Sequence, residues 1–371
     1  QILTLIEDLR RKRGMAVIFI THDFGVVADI ADRVIVMKKG EIVEAGPAQE
    51  VLLKPQHPYT RALIDAIPRL TQTDAPEQVE RAPLLKVEGL QKTFSTGSGT
   101  LFGKRRVVKA VQDVSFELYA GETIGIVGES GSGKSMTGRA ILRLIRPPGI
   151  VEATHINLEG RNLLAMTEKQ MRSVRGQQIS MVMQDPKFSL NPVTTVGEQI
   201  MEAYLLHNRT SRSNARKRAI QMLEAVSIHD ADRVMRAYPH EVSGGMGQRI
   251  MIAMMLIPDP KILIADEPTS ALDVNVQRQV LNIMDGLVRE RGMGLIFISH
   301  DLNLVSEFCD RVLIMYAGRV VEVCDADKLH EARHPYTRGL LNSLPRLDQP
   351  KEYLTVLNRD PTWSEAPSVR G

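Results

Sequence analysis

The segment GESGSGKS, residues 128–135, restricts the possible folds of this chain more than any other stretch. It directly follows the apolar run ETIGIV and precedes the helical pattern MTGRAILRLI, which is the strand–loop–helix setting of a phosphate-binding loop rather than of a flexible linker. Its glycines let backbone N–H groups curl around phosphate oxygens at a helix N-terminus, Lys134 adds a compact positive charge, and Ser135 is placed to ligate Mg²⁺. The predicted phosphate-binding residues are Gly128, Ser130, Gly131, Gly133, Lys134 and Ser135.

Further apolar runs predict a parallel sheet around this loop. KILIAD at 261–266 and GLIFIS at 294–299 are compact and are separated by a helical stretch. Short strands are also expected at LLKVEGL, 84–90, and VSFEL, 114–118, while 169–255 is mostly helical in pattern. Strands that alternate with helices imply an α/β fold with a parallel core sheet.

Two adjacent acids end the apolar strand ILIADEP, residues 262–268. Asp266 can hold Mg²⁺ through its hydration shell, and Glu267 can orient an attacking water. Either acid alone would be an ordinary strand-end carboxylate, but the phosphate loop upstream and TSALD just downstream make that interpretation the weaker one. We therefore predict Mg²⁺-dependent hydrolysis of a nucleoside triphosphate that requires Glu267.

Composition excludes several other classes of protein. Lys plus Arg number 47 against 44 Asp plus Glu, so the net charge of +3 gives no basic footprint for nucleic acid. The two cysteines, Cys309 and Cys324, form no metal-ligand cluster and are interpreted as reduced cytosolic thiols. IMIAMMLI at 250–257 is far shorter than the roughly 18 residues of a membrane-spanning helix. Any membrane contact is therefore expected through a partner.

The chain repeats part of itself at an interval of 278 residues. QILTLIEDLRRKRGMAVIFITHD aligns without gaps with QVLNIMDGLVRERGMGLIFISHD, and HPYTR at 57–61 returns at 334–338, an interval of 277. The first copy keeps His22, the counterpart of His300, and Asp23, but it contains no counterpart of the phosphate loop, of VSGGMGQR at 242–249 or of the acidic strand. The first copy is therefore predicted to be incomplete.

This repeat predicts four segments. Residues 1–70 are expected to be the C-terminal remnant of a first nucleotide-binding domain, unable to bind nucleotide unaided, and 71–83, TQTDAPEQVERAP, to be a linker. Residues 84–347 would be a complete second domain with a helical subdomain at about 169–255, and 348–371 a C-terminal tail. We expect the unpaired sheet edge of the remnant to favour aggregation.

Residues 84–347 resemble the ATP-binding cassette (ABC) ATPases in the phosphate loop, the acidic strand end and the motifs that follow. The resemblance implies the fold of a P-loop NTPase, with a RecA-like parallel core sheet, an antiparallel β subdomain and an α-helical signature subdomain. It implies ATP and Mg²⁺ as cofactors, with the metal held by Ser135, Gln184 and Asp266.

The same resemblance assigns roles to four further residues. Gln184, in VMQDP, would be the Q-loop sensor of Mg²⁺ and transport state, and Asp273 the D-loop residue. His300, directly after an apolar strand, would contact the γ-phosphate and act in catalysis with Glu267. Phe94 resembles the aromatic side chain that stacks on adenine, and a core phenylalanine is the alternative at that position.

The segment VSGGMGQR, residues 242–249, resembles the family's signature. Ser243, Gly244 and Gly245 are intact, whereas Val242 replaces the usual Leu and Gly247 replaces an Arg that is common in the peptide-importer branch. In the family the Ser hydroxyl and Gly amides embrace the γ-phosphate bound by the opposing module. The resemblance therefore implies a second ABC module as a partner, fused in the intact protein.

Two segments resemble the ATPase subunits of bacterial peptide, glutathione and nickel importers, namely QDPKFSLNPVTTVGEQI at 184–200 and the doubled HPYTR. This implies peptide uptake by a protein bound peripherally to the cytoplasmic side of the inner membrane. Membrane permease subunits would contact the Q-loop and helical subdomain, and a periplasmic solute-binding protein would act indirectly. The alternative is a soluble tandem ABC ATPase that regulates ribosomes or nucleic acid, which the short linker and near-neutral charge disfavour.

Overall fold

The computed structural model describes residues 2–21, 24–65, 82–96, 106–184, 189–269, 272, 274–344, 359–364 and 367–371. These residues form two compact units. The smaller contains Gln1–Pro68, Asp273–Arg278 and Arg333–Asp360, and the larger contains Arg69–Leu272, Gln279–Ala332 and Pro361–Gly371. Among the predicted residues, His22, Asp23, Asp273 and 71–81 lie outside the described part of the chain. In that part, no helix has the length and apolar character needed to cross a membrane.

The smaller unit begins with helices on either side of one antiparallel hairpin. Its elements are, in chain order, α1 (Ile2–Arg13), α2 (Phe24–Ile30), β1 (Arg33–Lys38), β2 (Glu41–Pro47), α3 (Ala48–Leu53) and α4 (Pro58–Asp65). Its small core includes Val36, Val51, Leu52 and Ile64, which are buried.

The larger unit alternates strands and helices, as the apolar runs predict. Its elements begin with β3 (Leu85–Thr96), β4 (Arg106–Leu118), β5 (Thr123–Val127), α5 (Lys134–Ile141), β6 (Gly149–Glu152), β7 (His155–Leu158), β8 (Arg161–Asn162), α6 (Glu168–Val174) and β9 (Ile179–Val182). They continue with α7 (Val196–Leu205), α8 (Arg212–Ala225), α9 (Ala231–Val234), α10 (Gly244–Leu256), β10 (Ile262–Asp266), α11 (Val274–Arg291), β11 (Gly294–Ser299), α12 (Leu302–Phe308), β12 (Arg311–Tyr316) and β13 (Arg319–Asp325). α13 (Pro335–Asn342) and the first residues of α11 belong to the smaller unit.

The core of the larger unit is a six-stranded sheet in the order β13-β12-β5-β11-β10-β9. The pairs from β12 to β9 are parallel, and only the β12–β13 pair is antiparallel. Every residue of β5, β10 and β11 is buried, which is typical of a parallel sheet with both faces covered. The predicted parallel core is confirmed, and it includes β9, which lies inside the region expected to be mostly helical.

A second, antiparallel sheet and a group of helices complete the larger unit. The order β4-β3-β7-β8 runs through the sheet, with β6 also paired to β3. The predicted strands at 84–90 and 114–118 are parts of β3 and β4, which are longer than the apolar runs suggest because a strand on one covered face alternates apolar and polar residues. The helices α7, α8 and α10 pack on one another in the region predicted to be helical.

The two copies of the repeat fold into the same hairpin. β1–β2 and β12–β13 both turn at a two-residue Xaa-Gly pair with positive φ, Lys39-Gly40 and Ala317-Gly318. Both hairpins also shift register after the fourth residue of their first strand. Local sequence therefore determines the hairpin in both places.

Burial of the two hairpins differs sharply. Ile35 and Met37 of β1 are 59% and 57% exposed, whereas their counterparts Leu313 and Met315 of β12 are completely buried. β12 pairs with β5 on its other side, but β1 belongs to a sheet of two strands. The first copy thus has the apolar sequence pattern of a core strand, but its apolar side chains are exposed.

The packing of helix α12 on β5 predicts a position that does not accept a side chain. A Cβ at Gly125 would lie 2.4 Å from Val305 Cγ1 and 3.1 Å from Cys309 Sγ. We expect Gly125→Ala to lower the free energy of unfolding by about 1–3 kcal/mol in urea titrations, because overpacking forces β5 and α12 apart. Gly286→Ala is the matched control, since no atom lies within 4 Å of its Cβ and helix propensity favours Ala. Equal effects of the two substitutions would contradict this account.

Candidate active site

The predicted phosphate loop joins the end of β5 to the start of α5. Gly128, Gly131 and Gly133 have φ values of 151°, 82° and 106°, in the region that favours glycine. A Cβ would approach Met315 O to 2.2 Å at Gly128 and Ala110 O to 2.5 Å at Gly133, so these two glycines are required by space as well as by φ. The exposed loop residues are Ser130 and Gly131.

Lys134 is the first residue of α5 and is 6% exposed, and its side chain reaches back into this loop. Its Nζ donates hydrogen bonds to Gly128 O at 2.7 Å and Glu129 O at 2.9 Å. Burial lowers the pKa of Lys134, although the nearby Glu267 and Asp266 carboxylates act in the opposite direction. The ammonium is therefore held inside the curl of backbone that would surround a phosphate.

Asp266, at the end of β10, links the acidic strand to the loop. Ser135 Oγ donates to Asp266 Oδ1 at 2.7 Å, and Asp266 is completely buried. Burial raises the pKa of the Asp266 carboxyl above its ordinary value. Its second oxygen, Oδ2, is buried and finds no hydrogen-bond partner among the described residues.

These oxygens fit a magnesium ion. Mg²⁺ prefers oxygen ligands and is usually held by one or two carboxylates together with water and phosphate oxygens. Within the described ranges, no group of three or more His, Cys, Asp or Glu could hold a metal by itself. Ser135 Oγ and the unpartnered Asp266 Oδ2 therefore suit a metal that arrives with nucleotide phosphates.

Glu267 follows Asp266 but points into a different environment. Its φ of 48° is left-handed, unusual for a residue with a side chain, and its backbone N–H donates to Ile298 O at 2.9 Å. The side chain is 17% exposed. Such backbone outliers are concentrated at functional sites, where the surrounding structure maintains them.

Gln184 and His300 converge on the Glu267 carboxylate. Gln184 Nε2 donates to Glu267 Oε2 at 2.7 Å, and His300 Nδ1 lies 3.3 Å from Glu267 Oε1. The hydrogen bond with His300 lowers the pKa of Glu267, and the same bond raises the pKa of His300. The two residues come from the ends of β9 and β11, which flank β10 in the sheet.

The signature residues lie at the start of α10. Ser243 is the N-cap of this helix and its Oγ accepts a hydrogen bond from Met246 N at 3.3 Å. Ser243 and Gly244 are exposed, and Gly245 is half-buried. No hydrogen bond of the described residues joins these three to Lys134, Ser135 or Asp266. The helix continues unbroken through Gly247 to Leu256.

Gln248 lies in the same segment and is not among the site residues predicted from the sequence. It is completely buried, and its Nε2 donates to Pro268 O. Pro268 directly follows Glu267 in the chain, so the signature helix is bonded to the acidic strand end. Gln248 could have been identified from the sequence as a polar residue next to an apolar helical run.

Phe94 lies near the end of β3 and is half-buried. It pairs with Val108 of β4, and Ala110, two residues further along β4, contacts the loop at Gly133. Phe94 therefore lies on β3, which pairs with β4, and β4 approaches the phosphate loop.

The sequence matches two family models. Residues 111–270 match the ABC transporter model, which spans the phosphate loop, the signature and the acidic strand. Over this segment the chain is similar to ABC transporters. The model of the oligopeptide/dipeptide transporter C-terminal region matches twice, at residues 43–106 and 321–369. The two matches begin at the same 278-residue interval as the sequence repeat.

Known proteins extend the similarity beyond this cassette. The chain is 41% identical over 375 residues to the glutathione import ATP-binding protein GsiA of Pectobacterium atrosepticum, covering 94% of this chain and 59% of the relative. Identity to the protein of that name from Escherichia coli K12 is 42% over 370 residues, covering 93% and 58%. The chain thus spans less than two thirds of the length of these relatives.

Solved structures agree on the fold. A dimeric bacterial ABC transporter cassette superimposes with a TM-score of 0.58 at 27% identity, covering 65% of this chain and 98% of that one. A post-hydrolysis state of that cassette, bound to ADP and Pi, gives the same values. The predicted P-loop NTPase fold of the larger unit is therefore confirmed.

The geometry of the ABC cassette predicts that Glu267 is needed for hydrolysis and not for binding. We expect Glu267→Gln to lower the ATPase rate at least about 100-fold, the scale of a lost general base, because Gln keeps the shape but cannot accept a proton. Binding of ATP, measured by equilibrium dialysis, should be retained because Lys134, Ser135 and Asp266 are unchanged. Glu290→Gln, an exposed change on α11, is the matched control. An unchanged rate in Glu267→Gln would refute the assignment.

Proposed function

We propose that this chain is the ATP-hydrolysing part of a bacterial importer for peptides of the oligopeptide, dipeptide and glutathione type. The observation that carries the proposal is the convergence of Gln184 and His300 on Glu267, beside the Ser135–Asp266 pair at the phosphate loop. The oligopeptide/dipeptide transporter match and the glutathione import relatives support the cargo class.

Each polar side chain of the site has a separate task in this proposal. The loop amides and Lys134 bind the phosphates, and Phe94 contacts the adenine. Ser135, Asp266 and Gln184 hold Mg²⁺, which when bound supplies charge neutralisation at the β- and γ-phosphates. Glu267 orients a water and accepts its proton, while His300 holds the carboxylate and contacts the γ-phosphate.

We further propose that the ATP site is completed by a second module. Ser243 and Gly244 are exposed at a helix N-terminus, where backbone N–H groups can meet a phosphate. In the proposed arrangement they meet the phosphate bound by the opposing module, and Asp273 would act with them. The dimeric structure of a similar cassette supports this pairing.

Residues 1–70 are proposed to be the C-terminal part of that second module. Ile18 and Ile20 are 92% and 94% exposed, whereas Ile296 and Ile298, which are 278 positions later, are completely buried in β11. Apolar residues of a core-strand pattern are stable only when neighbouring strands cover them. The relatives, of which this chain spans 59% or less, are long enough for two modules.

This proposal predicts unequal effects of the same substitution in the two copies. In the 371-residue chain, Ile296→Asp should destabilise by about 4 kcal/mol or more because it buries a charge, while Ile18→Asp should change stability by no more than about 0.5 kcal/mol. In a form that carries a complete first module, Ile18→Asp should become as damaging as Ile296→Asp. Urea unfolding of the two variants and the unsubstituted parent in each form tests this, and a neutral Ile18→Asp in the longer form would contradict the proposal.

The groove beside α7 is the proposed contact for a membrane permease. It has a cavity volume of about 650 Å³ and is lined by residues of α7 and α8, including Met201, Arg212 and Arg216, together with Met235 just after α9. α7 follows the Q-loop closely, so movement at Gln184 can reach the groove. The protein would then be peripheral on the cytoplasmic side of the inner membrane, and a periplasmic solute-binding protein would act through the permease.

Uptake by proteoliposomes that contain the permease and this ATPase tests the function. We expect glutathione or short-peptide uptake that depends on Mg²⁺–ATP and falls several-fold in Arg212→Glu, which reverses a groove charge paired with Glu198 at 2.6 Å. Arg289→Glu, an equally exposed arginine paired with Asp285 on α11, should transport normally. ATPase activity stimulated by ribosomes instead of by permease would favour the regulator alternative.

A further inference from the structure

Two residues of β3, Lys92 and Phe94, form an unusual pair. Alternate residues of a strand project from the same face of a sheet. Lys92 is completely buried, and its Nζ lies 4.0 Å from the centroid of the Phe94 ring. Phe94 itself is half-buried. The ammonium therefore occupies one face of the ring.

The position of this ammonium is fixed by the surrounding backbone. Lys92 Nζ donates to Thr93 O at 2.5 Å and to Ile150 O at 3.1 Å. Gly149, which is paired with Phe94 across β3 and β6, makes the space, because a Cβ there would lie 2.4 Å from Nζ. Two hydrogen bonds thus hold the charge in one place, in a space that Gly149 leaves open.

The cation is unusual in having no anionic partner. Among the residues that the structure describes, no carboxylate forms an ion pair with Lys92, and burial lowers the pKa of the ammonium. Buried charges are normally paired, since their desolvation is costly. The partial charges of two carbonyls and the π-face of Phe94 take the place of a counterion.

We propose that Lys92 is a positioning residue for recognition of the nucleotide base. The ammonium fixes the plane of the Phe94 ring, so that a purine stacks on the opposite face without first ordering the side chain. The inference rests on the proposed contact of Phe94 with adenine. A ring that is already ordered loses less conformational entropy on binding.

Binding of two ligands separates this role from a structural one. The probes are a non-hydrolysable ATP analogue and inorganic tripolyphosphate, each with Mg²⁺, and affinities are measured by calorimetry on the full chain. We expect Lys92→Met to weaken the ATP analogue about fivefold, within the range of a desolvated cation–π contact, and to leave tripolyphosphate unchanged. Lys86→Met, on the same strand but ion-paired with Glu117 at 2.7 Å, is the matched control and should bind both ligands normally.

A double-mutant comparison tests whether Lys92 acts through Phe94. Phe94→Ala should weaken the ATP analogue selectively, and adding Lys92→Met to it should cause no further loss. Equal weakening of both probes by Lys92→Met, or of neither, would overturn the proposal. Unchanged analogue binding in Phe94→Ala would instead refute the adenine contact itself. If Lys92→Met does not fold, Lys92→Gln, which can still donate to both carbonyls, is judged by the same criteria.

Discussion

The parallel pairing of β5, β9, β10 and β11 is the constraint on which the site depends. Parallel strands place all their carboxyl ends at one edge of the sheet, so residues distant in the chain meet there. The phosphate loop, Gln184, the Asp266–Glu267 pair and His300 each follow one of these four strands. The sheet is buried and close-packed, as Gly125 against α12 illustrates, and it therefore fixes the relative positions of these groups.

The two copies of the repeat separate what local sequence determines from what packing determines. Both copies form the same hairpin with the same turn and register shift, because glycine at the turn and alternating apolar residues act over a few positions. Burial is different, since Ile296 is inside a sheet and Ile18 is 92% exposed. An apolar pattern thus indicates which residues require a core, and neighbouring strands decide whether they have one.

The phosphate loop, the acidic strand and His300 could be predicted from the sequence because their motifs have strict spacing. The strands that carry them could be predicted as well. The short strand β9 was hidden in a helical region, because the four residues ISMV carry too little periodicity to distinguish a strand from a helix. Lys92 and Gln248 were missed for a different reason. Each is a buried polar residue whose partners, Ile150 O and Pro268 O, are brought near only by the tertiary fold.

The turn at Glu267 explains how two neighbouring carboxylates reach different surroundings. In a regular strand, successive side chains point to opposite faces of the sheet. Without the turn, the two acids would therefore project from opposite faces. The left-handed φ of Glu267, supported by its hydrogen bond to Ile298 O, ends the strand and redirects the second carboxylate. Asp266 remains buried beside Ser135, while Glu267 reaches the donors from β9 and β11. Backbone conformation therefore places one acid beside the phosphate loop and the other between Gln184 and His300.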